Sequence, residues 1–174
     1  ISLPAVSMLD SRARLEHLKL MRSLLKAGDA VSFSQYVVFA IARAQLVDES
    51  SSLKKVRYHR LQTVMADVAL VCGLMARIGH ADPALATRAY AEAMAKVGAR
   101  STRLPESGTA TVAALEKSLG RLSALALMPK MKVIRALASA VLHDEQVQTE
   151  ELELLRAICE ILECPMPPLA VALS

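Results

Sequence analysis

Aromatic residues are nearly missing from this sequence: three Tyr, two Phe and no Trp in 174 residues. Any core must therefore be built from Ala, Leu, Val, Ile and Met, which suit close helix–helix contact. The same scarcity argues against a nucleic-acid surface. The net charge is only +4, and the cations are scattered (Arg12, Arg14, Lys19, Arg22, Arg100, Arg103). The densest group, Lys54–Arg60, has Tyr58 as its single stacking ring and reads as the solvated face of a helix start. No nucleic acid is expected as a partner. Cysteine is scarce too. Cys72, Cys159 and Cys164 are odd in number and irregular in spacing, which argues against a disulfide framework and fits a reducing compartment. Cys72 and Cys159 lie in apolar helical context and read as small core residues, whereas Cys164, before Pro165, is a candidate exposed thiol. Nothing near it in sequence would lower its pKa.

Long apolar runs are also lacking. The longest, Val68–Ala76, is bounded by Asp67 and Arg77 and falls well short of the roughly 20 residues of a membrane span. Neither a span nor a signal peptide is expected. No alternation of β-branched residues suggests a sheet.

Motifs that carry chemistry are missing as well. The four histidines, His17, His59, His80 and His143, form no H-E-x-x-H, and no two are spaced i, i+3 or i+4. His17 and His59 read as helix-surface residues. His80 and His143 fall near helix C-termini, where a partly charged imidazole complements the dipole. There is no G-x-S-x-G, no G-x-x-x-x-G-K-[ST] and no G-x-G-x-x-G. No catalytic residue, no cofactor and no enzyme activity are expected of this chain alone. Two acidic turns invite a calcium reading, but an EF-hand loop needs oxygen ligands at positions 1, 3, 5 and 12 and Gly at 6. Counting from Asp144 puts Gln146, Gln148, Leu155 and Thr149 there. Counting from Asp29 does worse. Asp144, Glu145 and Glu151 remain as the candidates for holding a hard cation, against the alternative that the acidic residues of this turn serve the following helix. The methionines, among them Met65, Met75, Met94, Met128 and Met131, more often fill a helical core than line a groove. Met166, between Pro165 and Pro167, is a candidate docking tip.

What is present is helix signal. Ile1–Leu9 is apolar with Pro4 in a first turn. A helix over about 11–27 follows, its stripe Leu15, Leu18, Met21, Leu24 and Leu25. Gly28-Asp29 stops it, and Ser32 caps another through Leu46. A long helix over about 53–79 is nearly apolar all round at its end and is expected at the centre of the fold. Asp82-Pro83 is a cap followed by Pro at the first helical position of a helix reaching about Val97. Gly98–Gly108 reads as a long mobile loop. Thr109 or Thr111 opens a helix to about Ala124, with Val112, Leu115, Leu119 and Leu122 inward, and Met128-Pro129 opens the next. That helix carries Ile134, Leu137, Ala138 and Val141 at i, i+3, i+4, i+7. His143–Gln146 breaks the period. Thr149 reads as the N-cap of a last helix with Glu150 and Glu151 in its first turn and Leu152, Leu155, Ile158 and Leu162 as its stripe. Pro165, Pro167 and Pro168 stop it. The expected fold is all-α, a single domain over 1–174 with about eight helices.

A repeat underlies this order. One ungapped shift lays Ser23…Leu46 over Ser139…Leu162, matching Val31 to Val147, Asp29 to Glu145 and Phe39 to Leu155. Two copies, 15–46 and 131–162, are too few for a solenoid. They imply two pseudo-repeated helix-turn-helix hairpins framing a middle section.

The second copy, Val141-Leu-His-Asp-Glu-Gln-Val-Gln-Thr-Glu-Glu-Leu-Glu-Leu-Leu-Arg…Cys164-Pro-Met-Pro-Pro168, resembles the TerB-like helical region that ends certain bacterial membrane-bound zinc metallopeptidases, the HtpX-like "Zn-dependent proteases with chaperone function". His143-Asp144-Glu145 stands at that family's A-D-G, Glu151 at its acidic position and Leu154-Leu155-Arg156 at L-L-R. Cys164–Pro168 stands at its Cys-Pro-x-Pro-Pro ending. Lys26–Tyr36 resembles the matching N-terminal turn, with Gln35 in place of Glu, and Met128–Lys132 resembles a P-x-x-K segment. The resemblance implies a TerB-like bundle that serves as a non-catalytic accessory domain. It would recognise or regulate a partner or substrate on the cytoplasmic side, tethered to the inner membrane through its parent. The partner would be the attached protease domain or a protein substrate, and a homo-oligomer is a further option. Zinc is implied for the parent only, because the family's zinc motif has no counterpart here. The alternative is a stand-alone TerB-like stress-response domain that binds a small ligand or a cation.

Overall fold

The structure, a computed structural model, describes residues 56–99, 103–144 and 147–168. All fall in the second of the two units into which the chain divides, Lys54–Ser174. The N-terminal copy of the repeat, 15–46, lies outside the described residues.

Among the described residues there are five α-helices: α1 (Met65–Gly79), α2 (Pro83–Lys96), α3 (Val112–Leu122), α4 (Leu127–Val141) and α5 (Thr149–Leu162). Short 3-10 turns at Leu61–Val64 and Ser107–Thr109 complete them. Among these residues no strand forms, so the all-α reading stands.

The expected centre is the observed one. α1 touches each of the other four helices, and Val68, Val71, Cys72, Met75 and Ala76 are buried on it. Leu61–Gly79 has the length and composition to cross a membrane. In this fold it packs against the other four helices, and its single acid, Asp67, is engaged. Asp67 accepts from Ser118 Oγ at 2.9 Å and pairs with Arg121 at 3.0 Å, both on α3.

The expected start of this helix near residue 53 is not what forms at residues 56–60. That segment is extended and pairs with the turn before α4. The N–H groups of Arg57 and Tyr58 both donate to Ala124 O, at 2.8 and 3.1 Å, and Ala126 N–H donates to Tyr58 O at 2.8 Å. These bonds satisfy backbone groups that a helix would otherwise have to use, and such pairing between distant segments is invisible to local periodicity. Tyr58 serves the fold, lying beneath the Arg121 guanidinium 5.4 Å from its ring centre. The same guanidinium donates to Thr63 O at 3.0 Å.

Capping follows the sequence at two helices. Asp82 Oδ1 accepts from Ala84 N–H at 2.9 Å to start α2, and Thr111 Oγ1 accepts from Ala114 N–H at 3.2 Å to start α3. α2 lays its small residues Ala86, Ala89 and Ala93 into the core and packs against α4, which buries Ala136, Ala138 and Ala140. Small side chains permit that close approach. Leu104 and Pro105, within the long connection after α2, lie against Gly73 of α1.

At α5 two expectations shift by a residue or two. Gln148, not Thr149, is the N-cap, and Leu154 joins Leu155, Ile158 and Leu162 in the core while Leu152 is only half-buried. The stop also precedes the prolines. Glu163 takes a left-handed conformation with φ 55°. Its N–H donates to Glu160 O at 3.0 Å and Cys164 N–H to Cys159 O at 2.9 Å, the two bonds of a Schellman motif. A side chain in this backbone region is strained, and glycine is not. Glu163→Gly is therefore expected to stabilise the fold by about 0.5 kcal/mol, after the entropy of a more flexible unfolded chain is set against it. Urea denaturation of parent and variant measures it, and a destabilised variant would mean that the Glu163 side chain makes contacts outweighing the strain.

Candidate functional site

The chemistry-bearing side chains gather where the end of α1 meets the turn between α4 and α5. Glu151 is the anchor. It sits in the first turn of α5, and the spacing from Gln148 lets its Oε2 reach back to accept Gln148 N–H at 3.0 Å. Gln148 in turn donates from its side-chain amide to Gly79 O at 3.3 Å, occupying a carbonyl at the α1 terminus. Glu151 is 1% exposed. Its carboxylate occupies the space that a side chain at Gly79 would take, since a Cβ there would lie 1.9 Å from Oε1. Oε1 has no hydrogen-bond partner. Burial pushes the Glu151 pKa up, the Gln148 N–H opposes this, and the charges of Asp144 and Glu150 push it further up.

Two imidazoles lie beside it. His80, the residue after α1, is 4% exposed, and its Nδ1 pairs with Asp144 Oδ2 at 3.2 Å. The contact is not aligned as a hydrogen bond, and Nε2 of the same ring has no hydrogen-bond partner. His143 pairs through Nδ1 with Glu92 Oε2 of α2 at 2.8 Å. The two rings meet edge to face with centres 5.7 Å apart. Three carboxylates and two imidazoles thus come from the end of α1, from α2, the turn and α5.

Of the candidates for a cation, Asp144 is turned to His80 and Glu151 inward over Gly79. Glu145 lies outside the described residues. Among the described residues no three His, Cys, Asp or Glu side chains form a group that could hold a metal ion. What the arrangement does is link the start of α5 to the end of α1 through Glu151, Gln148 and the Gly79 carbonyl.

The meeting of His80 and His143 was not foreseen, because each had been explained alone by its own helix dipole. Glu92 carried no signal at all. The thiols are placed differently from their expectation at one position. Cys72 and Cys159 are buried, and burial pushes each thiol up to about 12. Cys164, the candidate exposed thiol, is also buried and donates weakly to Leu162 O at 3.5 Å. Its pKa is raised by burial as well, against the field of Lys130. None of the three is an activated nucleophile.

The outer face of α4 offers the other conspicuous feature. Leu127 and Met128 are 61% and 71% exposed, although both are large and apolar. Lys132 and Arg135 continue the face from Met128 at i+4 and i+7, and both are exposed. Arg60, in the segment that Tyr58 bridges to Leu125, is exposed as well. An apolar tip with a basic rim results.

No protein-family model and no curated protein matches the sequence, and no solved structure matches the fold. The described residues form an all-α fold.

Proposed function

We propose that the chain is a non-catalytic interaction domain that uses the exposed start of α4 to bind a protein partner. The observation that carries this reading is the pair Leu127 and Met128, held in water at the first turn of a helix whose other face is core. Large exposed apolar groups rimmed by polar ones mark protein-binding surfaces. The rim of Arg60, Lys132 and Arg135 selects a partner segment with an aliphatic or aromatic anchor flanked by acidic residues. The C-terminal resemblance supplies the setting. The whole chain would form a TerB-like bundle of about eight helices with hairpins 15–46 and 131–162, attached to a membrane-bound zinc metallopeptidase on the cytoplasmic side. Its partner would be that protease domain or the protease's substrate.

Synthetic peptides with one Leu or Phe anchor test the surface, half flanked by Glu and half by Lys. The acidic set is expected to bind, and Leu127→Asp to weaken binding at least about tenfold while changing stability by less than about 0.5 kcal/mol, as an exposed substitution should. Equal binding of both sets, or an unaffected variant, removes the reading. The protease setting has its own test. An H-E-x-x-H helix between apolar spans is expected upstream in the reading frame, and zinc-dependent proteolysis by the 174-residue chain itself would overturn the non-catalytic assignment.

A second reading is favoured by one observation, the buried Glu151 carboxylate with its unpartnered Oε1 beside Asp144. In that reading the chain is a stress-response domain whose acidic turn, Asp144, Glu145 and Glu151, takes a hard cation. Millimolar calcium would then raise the melting temperature. An unchanged melting curve removes it.

A further inference from the structure

The stop of α5 brings two thiols to one place. In an uninterrupted α-helix, residues five apart are separated by about 7.5 Å of axial rise alone. That exceeds the Cα separation of about 4.4–6.8 Å that a disulfide requires. The left-handed Glu163 removes this obstacle. It folds the chain back so that Cys164 N–H bonds to Cys159 O at 2.9 Å. Cys159 and Cys164 thereby occupy the two positions of a Schellman motif whose side chains meet as its apolar contact. Both are buried, and Cys164 Sγ makes only a weak contact, to Leu162 O at 3.5 Å. Cys164 is also close enough to be among the groups that raise the Cys159 thiol, after burial.

We propose that Cys159 and Cys164 are a disulfide-forming pair whose bond locks the C-terminal cap of α5, with a small-molecule disulfide such as oxidised glutathione as the oxidant. Cys164 reacts first: burial raises both thiols, but the Lys130 charge opposes that rise at Cys164, whereas nothing opposes it at Cys159. The Cys164 sulfur attacks one sulfur of the small disulfide, the S–S bond breaks, and one small thiolate leaves. The Cys159 sulfur then attacks Cys164, releasing the second small thiolate and closing the internal bond. The two protons lost by the cysteines pass to the two released thiolates. The protein sulfurs give up two electrons and the small disulfide takes them. Burial slows the first attack, because the thiolate is the nucleophile and little of it is present at neutral pH. It also leaves the reduced pair without stabilisation, so the bond, once formed, is only weakly oxidising.

The test equilibrates the whole chain with mixtures of reduced and oxidised glutathione at about pH 8, in buffer and in concentrated urea. Acid quenching, alkylation and peptide mapping follow. The expected product joins Cys159 to Cys164 and is lighter by two hydrogens, with Cys72 still alkylated. Its equilibrium constant should be at least about tenfold larger in buffer than in urea, because only the folded chain pre-positions the pair. A Cys72→Ala variant is expected to behave as the parent. Equal constants in buffer and urea, glutathione remaining on Cys164 as a mixed disulfide, or a bond to Cys72 would each overturn the proposal. The comparison in the parent chain decides the matter even where Cys164→Ala fails to fold.

Discussion

Replacing Gly79 by Ala should destabilise the fold by about 2 kcal/mol, although Ala is the better helix former. The added methyl would sit 1.9 Å from Glu151 Oε1 and 2.7 Å from its Cδ. Carboxylates on flexible arms usually swing aside at little cost. This one is buried and tied to Gln148 N–H, and Gln148 is tied to Gly79 O. Moving it breaks the reach-back bond that starts α5, worth about 1 kcal/mol, and disturbs the bond at the end of α1. Overpacking adds about 1–3 kcal/mol on its own. The gain in helix propensity offsets part of this, but less than at a mid-helix site, because Gly79 is the last residue of α1. The effect should depend on Glu151. In a double-mutant cycle with Glu151→Ala, the second truncation removes the obstruction, and a coupling of at least about 1 kcal/mol is expected. Urea midpoints of the four proteins supply it. If the two single costs simply add, the obstruction is not Glu151.

This pair also shows what the chain discloses about itself and what it withholds. The helices are legible where one face is buried, as at Ile134, Leu137, Ala138 and Val141, because burial imposes a period that sequence preserves. The caps Asp82 and Thr111 are legible because the bond they make is local. Glu151 was assigned to the dipole of its own helix, a fair reading of a carboxylate in a first turn. Its burial over Gly79 depends on a residue from another helix, and nothing in either segment announces the other. His80 and His143 failed to be joined for the same reason. Residues 56–60 carry a helical pattern in sequence but are extended in the fold, because the bonds of Arg57 and Tyr58 go to Ala124 and Ala126, outside any local window. The all-α class was therefore readable from periodicity, while the ionisable cluster required the packing of α1 against α5.

Glu151→Gln should change how stability responds to pH, and the direction follows from burial. The Glu151 carboxyl has its pKa raised above the ordinary 4.5, first by burial and then by Asp144 and Glu150, with Gln148 N–H opposing. The folded protein therefore holds this proton more tightly than the unfolded chain. Below pH 4.5 both states carry it, and the group adds no pH dependence. As the pH rises above that value the unfolded chain releases its proton first, and stability falls until the folded carboxyl ionises too. Past that point the cost of a buried carboxylate with one oxygen unpartnered is fully present. Glutamine keeps the shape and an acceptor for Gln148 N–H but carries no charge. The variant should therefore exceed the parent by about 2 kcal/mol near pH 8, in the range of a buried polar group left unsatisfied, and the difference should vanish near pH 4. His80, His143 and Glu92 belong to the same cluster. They are present in both proteins, so the difference between the two curves, rather than either curve, reports Glu151. Urea midpoints at about pH 4, 6 and 8 measure it. Parallel curves would show that the carboxylate is stabilised where it lies, and the same result would favour a cation as its missing partner.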